Sequence, residues 1–84
     1  MPTYKVEYSY HKKDVKQVEE WRGQIEFPSS IKVLCRYAYA AAHAGFVVVS
    51  TRDHEEIHKF SKPYRHIVDF VIQPLKPFRD ATNQ

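Results

Sequence analysis

Phe46-Val47-Val48-Val49-Ser50 is a nearly continuous apolar run at the middle of the chain. Such a run is typical of a central strand that is covered on both faces. Residues 31–39 before it alternate between two kinds of side chain, which predicts another strand, joined to the run by a hairpin over 40–45. One side of that strand carries Ile31, Val33, Cys35, Tyr37 and Tyr39, and the other carries Lys32, Leu34, Arg36 and Ala38. The centre of the chain therefore predicts two adjacent strands.

A helix and a further strand follow this pair. Asp53 is placed to cap the helix. The apolar stripe of the helix consists of Ile57, Phe60, Tyr64 and Ile67. Pro63 cannot donate a hydrogen bond within a helix, so we expect a kink or a break near Ser61-Lys62. Residues 68–75 alternate again, and Pro74 within them favours a strand at the edge of the sheet.

The N-terminal part has a strand and then a helix. Residues 3–10 alternate, and one face of this strand carries Tyr4, Val6, Tyr8 and Tyr10. Asp14 is placed to cap a helix with apolar positions at Val15, Val18, Trp21 and Ile25. The complete order is β-α-β-β-α-β. It predicts an α+β ferredoxin-like domain, with a four-stranded antiparallel sheet and two helices on one face.

Length and composition limit the class of protein. A chain of 84 residues has room for one domain, which we place at residues 1–78, with a loose tail at 79–84. The 43% hydrophobic content and the formal charge of +3 exclude a disordered chain, and they permit an anionic partner without requiring one. A single cysteine excludes an intrachain disulfide framework, and no stretch approaches the roughly 20 apolar residues of a membrane span. We therefore expect a cytoplasmic protein with no membrane partner.

Two segments of the second half carry a resemblance to known proteins. Ser50-Thr51-Arg52-Asp53 contains a T-x-D helix start, and residues 68–75 follow the strand pattern V-[DE]-F-x-I-x-P. In both segments the chain resembles a group of small proteins of unknown function in the dimeric α/β-barrel superfamily. It departs from that group at Pro63 and at Tyr64, where relatives tend to carry Trp.

The resemblance implies a homodimer in which two four-stranded sheets pack face to face, with the helices outside. In better-known branches the space between sheet and helices holds a small ligand, and some members are cofactor-free monooxygenases, isomerases or haem enzymes. No catalytic residue carries over. The physics agrees with pairing, because two helices cover one face of a sheet and the other face exposes apolar side chains. We therefore expect a homodimer that binds a small organic ligand without an intrinsic cofactor or metal, and whether it acts on that ligand stays open.

Polar side chains on otherwise apolar strands are the candidate site. The predicted ligand-binding residues are Glu7, Arg36, Asp69, Tyr8 and Tyr37, and Gln73 and His43 extend the set. Acidic and basic groups that converge on a cleft can recognise a ligand or move a proton. Ion pairs between strands or subunits are the alternative use of such charges. Cys35 alternates with apolar neighbours and is predicted to be a buried small hydrophobe instead of a nucleophile.

Residues 54–58 form a literal H-E-x-x-H motif, His54-Glu55-Glu56-Ile57-His58. In zinc peptidases the two histidines of this motif bind the metal and the glutamate acts as base. This chain is smaller than such domains usually are, and no third ligand is evident downstream. We therefore interpret the motif as a solvated helix face and predict no metal.

A nucleic-acid-binding module of the RNA-recognition type is the competing hypothesis, because it shares this topology. Ala44-Gly45-Phe46 resembles the start of its RNP1 strand, with Phe46 as one stacking platform and Tyr4, Tyr8 or Tyr10 as another. Val48 stands where a second aromatic is expected, and no basic residue precedes Gly45. A structural or interaction domain without a ligand is the third hypothesis.

Overall fold

The computed structural model of the chain describes residues 2–76. Its strands are β1 (Thr3–Ser9), β2 (Lys32–Ala38), β3 (Ala44–Ser50) and β4 (Asp69–Leu75), and its helices are α1 (Val15–Gln24) and α2 (Glu55–Ser61). Short 3₁₀ turns at Lys12–Asp14 and Lys62–Tyr64 precede α1 and follow α2. This confirms the predicted βαββαβ order and the α+β fold class. The predicted boundary at residue 78 and the tail at 79–84 lie outside the described residues.

The four strands form one antiparallel sheet in the order β2-β3-β1-β4. The first and third strands of the sequence are thus central, and the predicted edge position of β4 is confirmed. Val6 on β1 has Val47 of β3 on one side and Ile72 of β4 on the other. Because side chains alternate along each strand, these three residues lie on the same face of the sheet. We call it the helix face, because its side chains contact α1 and α2.

The buried core lies between the helix face and the helices. Its members are Val6, Ile31, Val47, Val49 and Ile57. The helices contribute little to it, because Val18 is the only buried residue of α1 and Ile57 is the only buried apolar residue of α2. The opposite face of the sheet, which we call the open face, has no helix over it within residues 2–76.

A β-bulge in β2 separates two neighbours that the sequence pattern puts together. Val33 pairs with Val49 of the helix face, whereas Cys35 pairs with Val48 of the open face, because the register shifts between Val33 and Cys35. The predicted single apolar side of this strand is therefore wrong. Cys35 is half-buried on the open face and is not a core residue with Val33.

The ends of α2 follow their expected chemistry. The Asp53 carboxylate accepts a hydrogen bond from the backbone N–H of Glu55 (3.0 Å), the first residue of α2, although the N-cap position belongs to His54, whose side chain makes no capping hydrogen bond. The helix ends at Ser61, and Pro63 lies in the 3₁₀ turn that follows, which confirms the predicted break. Asp14 stands at the start of α1, but its side chain makes no capping hydrogen bond. Within residues 2–76 no helix has the length and apolar character to cross a membrane.

Gly45 on β3 is required by a side chain of the neighbouring strand. It pairs with Tyr8 of β1, and a Cβ at Gly45 would collide with the Tyr8 phenol and with the backbone carbonyl oxygen of Tyr37. The Tyr8 side chain therefore lies across β3 only because residue 45 has no side chain.

Replacing Gly45 by alanine is expected to lower the free energy of unfolding by about 1–3 kcal/mol, because Tyr8 and β2 have to move. Gly23→Ala is the matched control, since a Cβ at Gly23 has nothing within 4 Å. That change in α1 is expected to raise stability by about 0.5–1 kcal/mol through helix propensity. Urea denaturation of both variants measures the two effects, and a neutral Gly45→Ala would contradict the packing described here.

Candidate functional site

A cavity of about 270 Å³ lies between the helix face and the helices. All five residues of the buried core line it, namely Val6, Ile31, Val47, Val49 and Ile57. Protein interiors are normally close-packed, with few voids larger than one water molecule. The core of this domain is therefore not closed by its own helices.

Aromatic rings form the walls of the cavity. The Trp21 ring on α1 meets Tyr8 edge-on, with 6.2 Å between ring centroids, and Phe70 edge-on at 6.1 Å. Across the cavity, Phe27 stacks on Phe60 of α2, with 4.7 Å between centroids. Edge-on and offset contacts at these distances are the favourable geometries for aromatic pairs. The rings thus hold one another in place around the open core.

Two arginines bring positive charge to this aromatic wall. The guanidinium carbon of Arg22 on α1 lies 5.9 Å from the centre of the Tyr8 ring, and that of Arg36 on β2 lies 5.7 Å from the centre of the Phe27 ring. Both distances are within the range of cation–π attraction. The cavity is therefore apolar at its base and cationic at its wall.

The predicted ligand-binding residues are divided between the two faces of the sheet. Tyr8 and Arg36 line the cavity, and Tyr37 borders it, although the Tyr37 ring stacks on Phe46 of the open face (5.5 Å between centroids). Glu7 and Asp69 lie on the open face, as Gln73 also does. The expected convergence of Glu7, Arg36 and Asp69 is thus wrong, because the sheet separates the arginine from both carboxylates.

On the open face Glu7 belongs to a small polar cluster. Its carboxylate accepts a hydrogen bond from the Tyr39 hydroxyl (2.8 Å), and it lies 3.8 Å from the Lys5 ammonium. The Lys5 ammonium also lies 5.4 Å from the centre of the Phe46 ring. The hydrogen bond to Glu7 is the main reason that the pKa of the Tyr39 hydroxyl is raised above 10.0, with desolvation and the Glu7 charge adding to it.

The H-E-x-x-H motif lies where α2 begins. Ligand atoms of His54, Glu55 and His58 all lie within 4.8 Å of one another. However, the Arg65 guanidinium lies 2.9 Å from Nδ1 of His58. Because a guanidinium only donates, Nδ1 accepts and the proton of the neutral ring is on Nε2. Metal binding at either nitrogen would break this hydrogen bond, and Arg65 adds a positive charge beside the site. The arrangement therefore opposes a metal ion.

The aromatic rings of the open face are not the pair that the RNA-recognition hypothesis predicted, because Tyr37 and Tyr39 are the neighbours of Phe46 there. Phe46 lies on the open face, but Tyr4, Tyr8 and Tyr10 do not join it: Tyr8 packs on Trp21, Tyr4 packs near His54, and Tyr10 stacks on Tyr8. The predicted second platform is therefore wrong. The strand positions of the open face carry two lysines and two carboxylates, at Lys5, Lys32, Glu7 and Asp69. This balance gives no net attraction for a phosphate backbone.

Three residues that line the cavity were not predicted from the sequence as site residues: Trp21, Arg22 and Phe27. Trp21 appeared only as a core position of the helix. A signal for Arg22 was present, because it lies four residues after Val18 and three before Ile25. A charge at that spacing falls on the apolar stripe of the helix.

Comparisons with known proteins give a family and no function. The family model described as a domain of unknown function (DUF3303) matches residues 1–83. No curated protein and no solved structure matches the chain. The expected membership of a small family of unknown function is thus confirmed, and the observed topology is consistent with the ferredoxin-like class.

Replacing Glu7 by glutamine is expected to lower the pKa of Tyr39 toward 10.0, because the charged acceptor of its hydrogen bond is removed. In the wild type the folded state holds the phenolic proton more tightly than the unfolded chain does. The stabilisation is therefore complete below pH 10 and is lost as the pH rises through the folded pKa. An NMR titration of the tyrosine Cζ signals measures it, with Tyr39→Phe for assignment. Asp69→Asn is the control, and an unchanged pKa in Glu7→Gln would contradict the assignment.

Proposed function

Because the chain belongs to the family described as a domain of unknown function (DUF3303), we propose its function from its geometry: it binds a small organic ligand in the cavity between the sheet and the helices. The observation that carries the proposal is that the whole buried core cluster lines this cavity. A small domain has little core to spare, because much of its surface stays exposed to water. An open space at the centre of that core supports a role in binding.

The dimensions and chemistry of the cavity support a compact ligand. Its volume of about 270 Å³ is close to the lower end of the roughly 300–1,000 Å³ of small-molecule sites. Such sites are mostly hydrophobic and aromatic, with a few polar groups that fix orientation. The cavity lining contains all three kinds of side chain: the hydrophobic Val47, the aromatic Trp21 and the polar Arg36.

We propose further that the protein is a homodimer in which two open faces pack together. Exposed apolar side chains support this assembly, because Tyr37 is 62% exposed and Val71 is 52% exposed. In such a dimer each copy contributes one Lys5 and one Glu7 to the interface. A two-fold axis can therefore place opposite charges together, whereas a nucleic acid would meet Glu7 and Asp69 with like charge.

Ligand binding is expected to be lost, by at least roughly tenfold in affinity, when Val47 at the base of the cavity is replaced by phenylalanine, because the larger side chain occupies the ligand's space. Calorimetric titration with 3-phenylpropanamide and with 3-phenylpropionate, one neutral and one anionic, measures it. Val15→Phe makes the same change outside the cavity and is expected to bind as the wild type does. If neither compound binds the wild type, the proposed function is wrong and the interaction-domain hypothesis replaces it.

The solution mass tests the assembly separately. Light scattering at low micromolar concentration is expected to give about twice the chain mass of 10.0 kDa, and Val71→Lys is expected to give a monomer because it puts like charges in the interface. Gln17→Lys adds the same charge on α1 and is expected to remain dimeric. A monomeric wild type would overturn the dimer and leave the stacked Tyr37–Phe46 pair free for the RNA-recognition hypothesis.

A further inference from the structure

The charge around the cavity has one sign. Arg22 and Arg36 are the only residues of its lining that carry a formal charge, and no Asp, Glu, Lys or His side chain belongs to the lining within residues 2–76. In the same part of the chain neither guanidinium has a carboxylate within ion-pair distance, because the ion pairs there are Lys5–Glu7 and His54–Glu55. Among the described residues, two cationic groups therefore border one apolar space without a carboxylate counterion.

Contacts with aromatic rings leave the hydrogen-bonding edge of each guanidinium available. Arg22 lies over Tyr8 and Arg36 lies over Phe27. A guanidinium carries five N–H donors in its plane, and contact with the ring of Tyr8 or Phe27 does not satisfy them. Tyr8 and Phe27 both belong to the cavity lining. These contacts thus place both guanidiniums at the cavity wall without satisfying their donors.

Trp21, another lining residue of the cavity, carries a third donor without a partner. The indole Nε1–H of Trp21 is buried and has no hydrogen-bond acceptor among the described residues. Buried polar groups are nearly always paired in folded proteins, and each exception calls for an explanation. Ser61, another lining residue, donates its hydroxyl hydrogen to the backbone carbonyl oxygen of His58. The donors that border the open cavity without an acceptor within residues 2–76 are therefore those of the two guanidiniums, because the Nε1 atom of Trp21 has almost no accessible surface.

We infer that the ligand is a compact organic anion: an aromatic body packs among Trp21, Phe27 and Phe60, and its carboxylate receives hydrogen bonds from Arg22 and Arg36. This inference rests on the proposed function and specifies the ligand class of that same cavity. Arginine is the side chain best suited to the task, since its planar fork matches the two oxygens of a carboxylate.

A series of ligands with one carbon skeleton tests the inference on the wild-type chain. The anion 3-phenylpropionate, the neutral 3-phenylpropanamide and the cation 3-phenylpropylammonium differ only at the end of the side chain. Calorimetry at pH 7 is expected to show the anion binding at least roughly tenfold more tightly than the amide, with the ammonium weakest. Trp21 is the only tryptophan of the chain, so its fluorescence reports independently whether binding occurs at this wall.

Arginine variants connect the preference to the two side chains. Arg36→Gln and Arg22→Gln are each expected to weaken 3-phenylpropionate binding by roughly tenfold and to leave 3-phenylpropanamide nearly unchanged, because only the charge-assisted hydrogen bonds are lost. Arg52→Gln removes the same charge from an exposed position outside the cavity lining. It is expected to bind as the wild type does, unless the preference comes from the net charge of the whole protein.

The outcomes separate this inference from the proposed function. If the amide binds as tightly as the anion, the anion inference is wrong and the binding cavity stands. If no member of the series binds, both are wrong. An equal loss in Arg52→Gln and Arg36→Gln would also overturn the inference, because it assigns the effect to net charge. The comparison of ligands on the wild type remains decisive if Arg22→Gln, in the last turn of α1, fails to fold.

Discussion

The alternation of side chains along β2, interrupted by one bulge, decides which chemistry each face of the sheet receives. Before the bulge Val33 lies on the helix face, and after it Arg36 lies there too, while Cys35 and Tyr37 lie on the open face. In a regular strand Val33 and Arg36 would lie on opposite faces, because their separation is odd. The bulge thus brings an arginine to the cavity wall and puts an aromatic ring on the open face.

The sparse packing of the helices makes the cavity possible. α1 buries one residue completely, and α2 is only 7 residues long because Pro63 ends it early. The rings of Trp21, Phe27 and Phe60 span the distance between helices and sheet, but they enclose the space without filling it. A site of this kind uses part of the volume that would otherwise belong to the core. The cavity also accounts for the many aromatic side chains of this small domain, since each contributes a large rigid surface to the cavity wall.

The two faces of the sheet suit different partners. On the helix face, two arginines without a carboxylate partner in residues 2–76 border an apolar cavity, which favours a small anionic molecule. On the open face, Lys5 and Glu7 are paired with each other and the surrounding surface is apolar, which favours another protein surface. The sheet separates Arg22 and Arg36 from Lys5 and Glu7, whereas Tyr37 borders the cavity and also belongs to the open face.

The sequence alone determined the order of the elements, the central position of β3, the edge position of β4 and the break at Pro63, because these follow from local patterns of period two and period 3.6 and from the backbone chemistry of proline. The family was indicated separately, by a resemblance in two segments of the second half. The sequence also identified Tyr8 and Arg36 as candidate ligand contacts. The sequence did not show that Glu7 and Asp69 lie on the opposite face of the sheet from Tyr8 and Arg36. Alternation assigns residues to faces only relative to their own strand. Only the tertiary structure decided the bulge in β2, the contact of Tyr8 with Gly45 and the grouping of Trp21, Arg22 and Phe27. Each of these depends on contacts between residues distant in sequence, and no local pattern encodes such contacts.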